Sequence, residues 1–415
     1  AAVLRLPGRL SQDAAVNERL AAEAGVTIET LDRAPEQLPL SGLIVDALFG
    51  TGLSRPVEGL ARALIRMAND SGLPILAVDI PSGLDGATGR VLGEAIRAAE
   101  TVTFHRVKTG FYLRDGCAHT GKVACRPILI PEAEDSFGGL SFLTEEEADA
   151  LSPKRSPMSH KGTHGVSVLL VGSEGMAGAA ALCASACIRA GSGLTRILCP
   201  RAILPILQAL VPGATCIPLS GDPETDAAHC REALRGASKA AAGCGLGQRD
   251  ELLPLLRAFR EADCPVVWDA DALNLLAAND GLLPLPQKDV VTPHPGEAGR
   301  LLAQSAAAIV DAPLESLSAL RERCGCHVLL KGARSLMTDG RDIAVNAAGT
   351  PALAKGGSGD ILTGLICGLL GQGSLTTLQA MQLACVLQVR AAEAAAKAHG
   401  ESGCAPEDIV GMIRL

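Results

Sequence analysis

The sequence predicts an α/β fold: two three-layer domains, each a largely parallel sheet covered by helices on both faces. Three observations predict it. Short apolar runs repeatedly end in polar or glycine residues, as "GLIVDALFG" (42–50) and "LPILAVDIPSG" (73–83) do. Stretches with helical spacing alternate with these runs. The unusual polar residues cluster where the runs end, and ligands of doubly wound sheets bind beyond the carboxyl ends of strands.

The elements follow in order. Between the first two strands, "EGLARALIRMAND" (58–70) has helical spacing, with Pro56 just upstream as a start signal. Further strands are expected at "GVSVLLVG" (165–172), "PVVWDAD" (265–271), "DVVTPHPG" (289–296) and "CHVLLKG" (326–332). Helices are expected at 176–190, 201–210, 250–262, 297–305 and 376–398. "SLMTDGRDIAVN" (335–346) reads as a hairpin turning on Asp339–Gly340. The acidic, aperiodic "PEAEDSFGG" (131–139) marks a boundary, dividing the chain into domains 1–135 and 136–415. The chain opens on Ala in mid-pattern, which predicts further sequence upstream.

Composition narrows the function. The 415 residues carry a net charge of −8 with no basic run and 2% aromatics, which argues against a nucleic-acid surface. No apolar stretch approaches the ~20 residues of a membrane span. The fourteen cysteines are scattered and form no CxxC pair. They read as thiols in a reducing, cytoplasmic setting rather than as a disulfide scaffold or a zinc site.

The chemistry concentrates in "LAKGGSGDILTG" (353–364). A glycine-rich turn opening a helix presents bare amides and the positive end of the helix dipole, which suits a phosphate. Asp360 makes sense there as a general base, accepting the proton of a hydroxyl that attacks the phosphorus. The simpler alternative is a helix start capped by Ser358 or Asp360. Other stretches should meet at the same edge: "AAGCGLG" (241–247), "WDADALN" (268–274), "TPHPGE" (292–297) and "LLKGARS" (329–335). Each has its own plain reading. His294 is then a loop histidine, Lys331 a solvated strand end, and Asp269 and Asp271 helix caps. In the first domain Asp46 and Asp79 each end a strand on one sheet edge, as acid/base groups, cation ligands or caps.

Together, "SHKGTHGVSVLLVGS", "GMAGAAALCASACIRAGSGL", "AAGCGLG", "DADALN", "TPHPGE", "LLKG" and "GGSGDILTGLICGLL" resemble the ADP/ATP-dependent NAD(P)H-hydrate dehydratases. The resemblance spans about 140–415 and implies a ribokinase-like fold. It also implies phosphorylation of the ring hydroxyl of NADHX or NADPHX by ADP or ATP with Mg2+, followed by elimination. Carried over by position, Gly245, His294 and Asp360 contact the hydrated dinucleotide. Lys331, Gly332, Ala333, Arg334 and Ser335, with Gly359, hold the nucleotide. Two positions depart from the family pattern. Cys244 stands where Pro is usual, and Lys355 stands where a small or hydroxyl residue is common, offering an added phosphate contact.

"VDALFGTGLSRPVEG" (45–59), "AVDIPSGLDGATG" (77–89) and "TVTFHRVKTGFYL" (101–113) resemble the YjeF-type NAD(P)H-hydrate epimerase domain, a Rossmann-like fold. That likeness implies potassium at Asp46 and Ser82. It implies substrate contacts from Asp79, as the catalytic group, and from Gly50, Thr51, Gly52, Leu53, Ser54, Arg55 and Pro56. The family's Asn-Asn-Gly-Gly-Asp phosphate loop is absent from residues 1–45, so weak epimerisation is expected. The family also implies a homo-oligomer. Two other functions remain open at this stage. One is a small-molecule kinase of the same fold, of hydroxyethylthiazole or pyridoxal type. The other is a noncatalytic interaction module built on the first domain.

Overall fold

The computed structural model describes residues 2–8, 10–38, 41–130 and 139–415. It comprises two compact units, Ala1–Gly139 and Leu140–Leu415. Residues 131–138 of the expected boundary lie outside the described residues.

In the first unit, four parallel strands lie in chain order: Ile44–Asp46, Ile75–Val78, Glu100–Phe104 and Lys122–Arg126. A separate parallel pair joins Ala2–Arg5 to Thr27–Thr30. The helix Gly59–Asp70 buries Ala61, Ile65 and Ala68, with Val57, Ile75 and Ile96 completing a small core. The first strand of the four is not the buried strand its sequence suggests. It lies at the sheet edge, and Val45 is exposed.

The second unit is built on one ten-stranded sheet. Its spatial order is Thr215–Leu219, Leu194–Pro200, Val166–Leu170, Lys239–Ala242, Val266–Trp268, Val290–Val291, His327–Leu330, Leu336–Thr338, Ile343–Val345 and Leu140–Ser141. The first seven are parallel; the expected hairpin then adds two antiparallel strands. Central strands are buried on both faces, as Lys239–Ala242 shows at every residue. That is the pattern of a parallel sheet covered on both sides.

On one face, Leu169, Ala241, Val267 and Leu329 pack with the helices Ala177–Arg189, Ser358–Leu369 and Thr377–His399. Two of these helices meet backbone to backbone. A Cβ on Gly364 would lie 2.1 Å from Cys183 O, and one on Gly368 would lie 2.6 Å from Cys187 O. No larger residue fits at either place, so this seam fixes where the helix Ser358–Leu369 begins.

Candidate active site

Parallel register assembles the site. Ala242 pairs with Trp268, Trp268 with Val291, and Val291 with Val328. The residues following these strands therefore meet at one sheet edge: Gly243–Gly247, Asp269, Thr292–His294 and Lys331. Gly243 turns the first loop at φ +125°, and a Cβ there would fall 1.8 Å from Asp269 O.

The glycine-rich turn enters the helix Ser358–Leu369 through Gly357, at φ +95°. No side chain caps this helix. The Oγ of Ser358 is buried without a hydrogen-bond partner. The capping alternative therefore does not describe this turn: Ser358 N donates to Lys355 O at 3.4 Å, and the amides that follow it in the first turn stay available. Asp360 lies in the first helical turn. Burial pushes its carboxyl up to about 6, against a lowering hydrogen bond from Cys244; Asp269 raises it further and Lys331 offsets part of the rise. A base titrating there is ionised at neutral pH yet still able to take a proton.

Beside it, Lys331 Nζ lies 2.6 Å from Asp269 Oδ1 and 3.7 Å from Glu297 Oε2. Thr363 Oγ1 donates to Asp269 Oδ2 at 2.7 Å. Asp269 is buried, and it stands at the start of the helix Ala270–Ala278 without capping it. Burial favours neutral Lys331, but Asp269 and Glu297 outweigh that and raise its pKa. Lys331 is thus no solvated strand end. A Cβ on Gly359 would sit 3.4 Å from Lys331 Nζ, so the turn and the lysine adjoin.

Asp271 is not a cap either. It accepts Gly247 N at 2.8 Å and Gln248 Nε2 at 2.9 Å, tying the glycine loop to the next helix. His294 caps the helix Pro295–Leu302: its Nδ1 accepts Gly296 N at 3.0 Å, and Glu297 Oε2 accepts His294 N at 2.9 Å. The ring is nonetheless exposed at this edge. Gly245 turns at φ +60° and its carbonyl accepts Ser173 Oγ at 2.8 Å. Lys355 departs from its expected phosphate role: its Nζ donates to Ser402 O at 2.9 Å and to Cys404 O. That anchors the turn to the C-terminal segment.

A cavity of about 600 Å³ opens beside the turn. Lys331–Ser335, Ser358 and Gly359 line it together with Asn346, Leu353, Leu362 and Val389. All the expected nucleotide-site residues thus share one cavity. Sequence reasoning missed Glu297, Thr363 and Asn346 as site residues. Glu297 was visible as the end of "TPHPGE" and Thr363 lay within "GGSGDILTG"; Asn346 carried no local signal.

In the first unit, Asp46 is buried, accepting Ser82 N at 2.8 Å and Leu48 N at 3.4 Å. Burial raises its pKa, partly offset by Ser82 and Leu48. Ser82 Oγ accepts Phe49 N at 2.9 Å, just before the exposed segment Gly50–Gly52. Asp79 holds φ 66°, a sparsely populated conformation for a residue with a side chain. Its Oδ1 accepts Lys108 Nζ at 2.7 Å, Phe104 N at 3.1 Å and Thr103 Oγ1 at 3.2 Å. Burial would raise Asp79, but Lys108 and the Phe104 amide prevail and lower it. Lys108 is a further residue that the sequence did not single out. Among the described residues no group of three or more His, Cys, Asp or Glu could hold a metal ion, and no helix is long and apolar enough to cross a membrane.

Comparisons with known proteins bear on both units. Residues 167–414 match the family model described as NAD(P)H-hydrate dehydratase, and residues 2–110 match that of the YjeF-related protein N-terminus. A Vibrio cholerae protein named bifunctional NAD(P)H-hydrate repair enzyme Nnr is 34% identical over 376 residues, covering 90% of this chain and 74% of the relative. Its Escherichia coli counterpart is 38% identical over 387 residues, covering 90% and 71%. Among solved structures, the ADP/ATP-dependent NAD(P)H-hydrate dehydratase of Bacillus subtilis, co-crystallised with ATP/Mg2+, matches at TM-score 0.59 and 29% identity. It covers 66% of this chain and 96% of that one. A ribokinase-like superfamily protein from Enterococcus faecalis, at TM-score 0.60 and 24% identity over 67% of this chain and 95% of its own, shares the fold.

Proposed function

The chain belongs to the NAD(P)H-hydrate dehydratase family, in the form that also carries a YjeF-type unit, and from that premise we propose how its sites act. The second unit dehydrates the S form of NADHX and NADPHX, with ADP or ATP as phosphoryl donor. The ring hydroxyl of the hydrate leaves poorly as hydroxide. Its oxygen attacks the donor's terminal phosphorus, the bond to the nucleotide's leaving oxygen breaks, and Asp360 takes the hydroxyl proton. The phosphate then departs with the C–O electron pair as the neighbouring ring carbon loses a proton, which restores the double bond.

The observation that carries this reading is Asp360 itself. It is a base held up to about 6, in the same first helical turn as the uncapped amides that suit phosphoryl oxygens. Lys331 adds positive charge beside Gly359, while its pairing with Asp269 keeps it in place. Gly245 and His294 flank the acceptor side, and Lys331–Ser335 with Gly359 hold the donor. A magnesium ion would be held chiefly by the donor's own phosphates, as this small cation prefers. It would neutralise charge on the transferring group.

The first unit is of the type that interconverts the R and S hydrates. Asp46 and Ser82 offer hard oxygen donors for potassium, and burial of the carboxylate favours a nearby cation. Asp79, paired with Lys108, would move the proton, and residues 50–56 would border the substrate. The working form is a homo-oligomer, as the family suggests.

The test supplies S-NADHX, ADP and magnesium, and follows recovery of the dihydronicotinamide absorbance at 340 nm. Recovery that requires ADP supports the dehydratase. Phosphate transfer to a thiazole alcohol or to pyridoxal without recovery would replace it with a vitamin-precursor kinase.

A further inference from the structure

We infer that His294 serves the elimination step as a hydrogen-bond donor: its Nε2–H stabilises the former ring hydroxyl oxygen as that oxygen departs with the phosphate, and Glu297 is the residue that positions it. This rests on the acceptor side assigned above, and adds which nitrogen acts, on which atom and in which step.

Each residue of "HPGE" (294–297) helps to fix the imidazole. Pro295 occupies the first turn of the helix Pro295–Leu302, where a missing N–H is no loss. Gly296 N donates to His294 Nδ1 at 3.0 Å. A Cβ on Gly296 would lie 2.8 Å from His294 Cε1, so a larger residue there would push the ring away. Glu297 Oε2 accepts His294 N at 2.9 Å, and Glu297 Oε1 lies 3.3 Å from His294 Nε2.

This bonding decides the tautomer. Nδ1 accepts, so the ring's proton sits on Nε2. The Glu297 carboxylate favours a proton on that nitrogen too, at ion-pair distance but outside hydrogen-bond geometry. The His294 side chain is 50% exposed, which leaves Nε2–H open to a ligand. His294 thereby offers a donor and has no free lone pair with which to take a proton from carbon.

Position selects the atom. Glu297 Oε2 also lies 3.7 Å from Lys331 Nζ, and Lys331 N donates to Pro293 O at 2.8 Å. One carboxylate thus stands between His294 on the acceptor side and Lys331 on the donor side, where the transferred phosphate must pass. In the elimination the C–O electron pair goes to the bridging oxygen, and negative charge develops there. A fixed donor facing a developing oxyanion acts in the transition state, and an imidazole N–H does so without releasing its proton. The ring-carbon proton passes to the departing phosphate, which leaves as hydrogen phosphate, so the step balances without a base from His294.

The experiment follows AMP formation and NADH recovery from saturating S-NADHX and ADP with magnesium. It compares the full chain with His294→Gln, His294→Asn and His294→Leu. Gln carries an N–H donor at about the reach of Nε2 but cannot take up a proton. Asn keeps the helix cap and lacks the reach, while Leu removes both. NADH recovery should fall about 10²–10³-fold in His294→Asn and His294→Leu, and stay within about tenfold of the unaltered chain in His294→Gln. In the slow variants AMP should form ahead of NADH, as the phosphorylated hydrate accumulates. If His294→Leu does not fold, His294→Asn carries the comparison. Three results would each overturn the inference: His294→Gln as slow as His294→Asn, AMP formation slowed in step with NADH recovery, or a raised KM with kcat unchanged. No recovery by the unaltered chain would instead overturn the dehydratase reading beneath it.

Discussion

Lys331 reaches from the end of its strand to Asp269, with Nζ 2.6 Å from Oδ1, while Thr363 holds the other carboxylate oxygen at 2.7 Å. The pair joins two strands and, through Thr363, the helix Ser358–Leu369, beside Gly359 of the proposed donor site. Removing one member of such a pair leaves an uncompensated buried charge. Lys331→Met is expected to lower stability by about 3–5 kcal/mol and to weaken ADP binding. Urea unfolding and calorimetry check the two effects separately, and unchanged stability would show that Asp269 is well solvated.

Asp360→Asn keeps the shape of the first turn and removes the base. Turnover should fall by about 10²–10⁴-fold with ADP affinity altered little. Single-turnover NADH recovery and nucleotide titration give the comparison, and undiminished turnover would take Asp360 out of the mechanism.

The same carboxyl sets the acid limb of the pH profile. In the proposed mechanism the base form is the active one, and burial holds its pKa at about 6. The rate should therefore be level at neutral pH and fall about tenfold per pH unit below about 6. A limb near 4 would mean that Asp360 is more exposed to water in the working enzyme.

Asp289 gives a stability prediction of defined sign. Its oxygens accept Val266 N at 3.1 Å and Trp268 Nε1 at 2.9 Å, and burial raises its pKa to about 7. The folded chain keeps the proton where the unfolded chain has lost it. Stability should accordingly fall as pH rises from about 4 to about 7, by up to about 1.4 kcal/mol per unit. Thermal melts from pH 5 to pH 8 test this, and Asp289→Asn should flatten the slope whatever its effect on the mean.

For the first unit, Asp79→Asn should slow R/S interconversion of NADHX by about 10²–10⁴-fold, because it removes the carboxylate paired with Lys108. Exchange at the unaltered rate, followed by chromatography of the two epimers, would take Asp79 out of the proton transfer.

Much of this was legible in the sequence because it is local. Strands ending in "DAD", "HPG" and "LKG", the hairpin on Asp339–Gly340 and the turn before Asp360 each declare themselves within a dozen residues. What stayed hidden depends on partners distant along the chain. Asp269 reads equally as a cap until Lys331, 62 positions on, is seen beside it. Lys355 looks like a phosphate ligand until the carbonyls of Ser402 and Cys404 claim it. Lys108 gains meaning only against Asp79. Asn346 and Ser358 stand out through partners they lack, which no spacing rule can reveal.

The tight seam at Gly364 and Gly368 has a consequence far from its own location. A single extra methyl there would wedge two helices apart and tilt the mount on which the reacting proton's acceptor rides. Such a lesion could leave a chain that folds and still captures nucleotide, yet mis-aims the transfer. Sensitivity of this enzyme to damage therefore extends deep into an oily interior that no substrate ever visits.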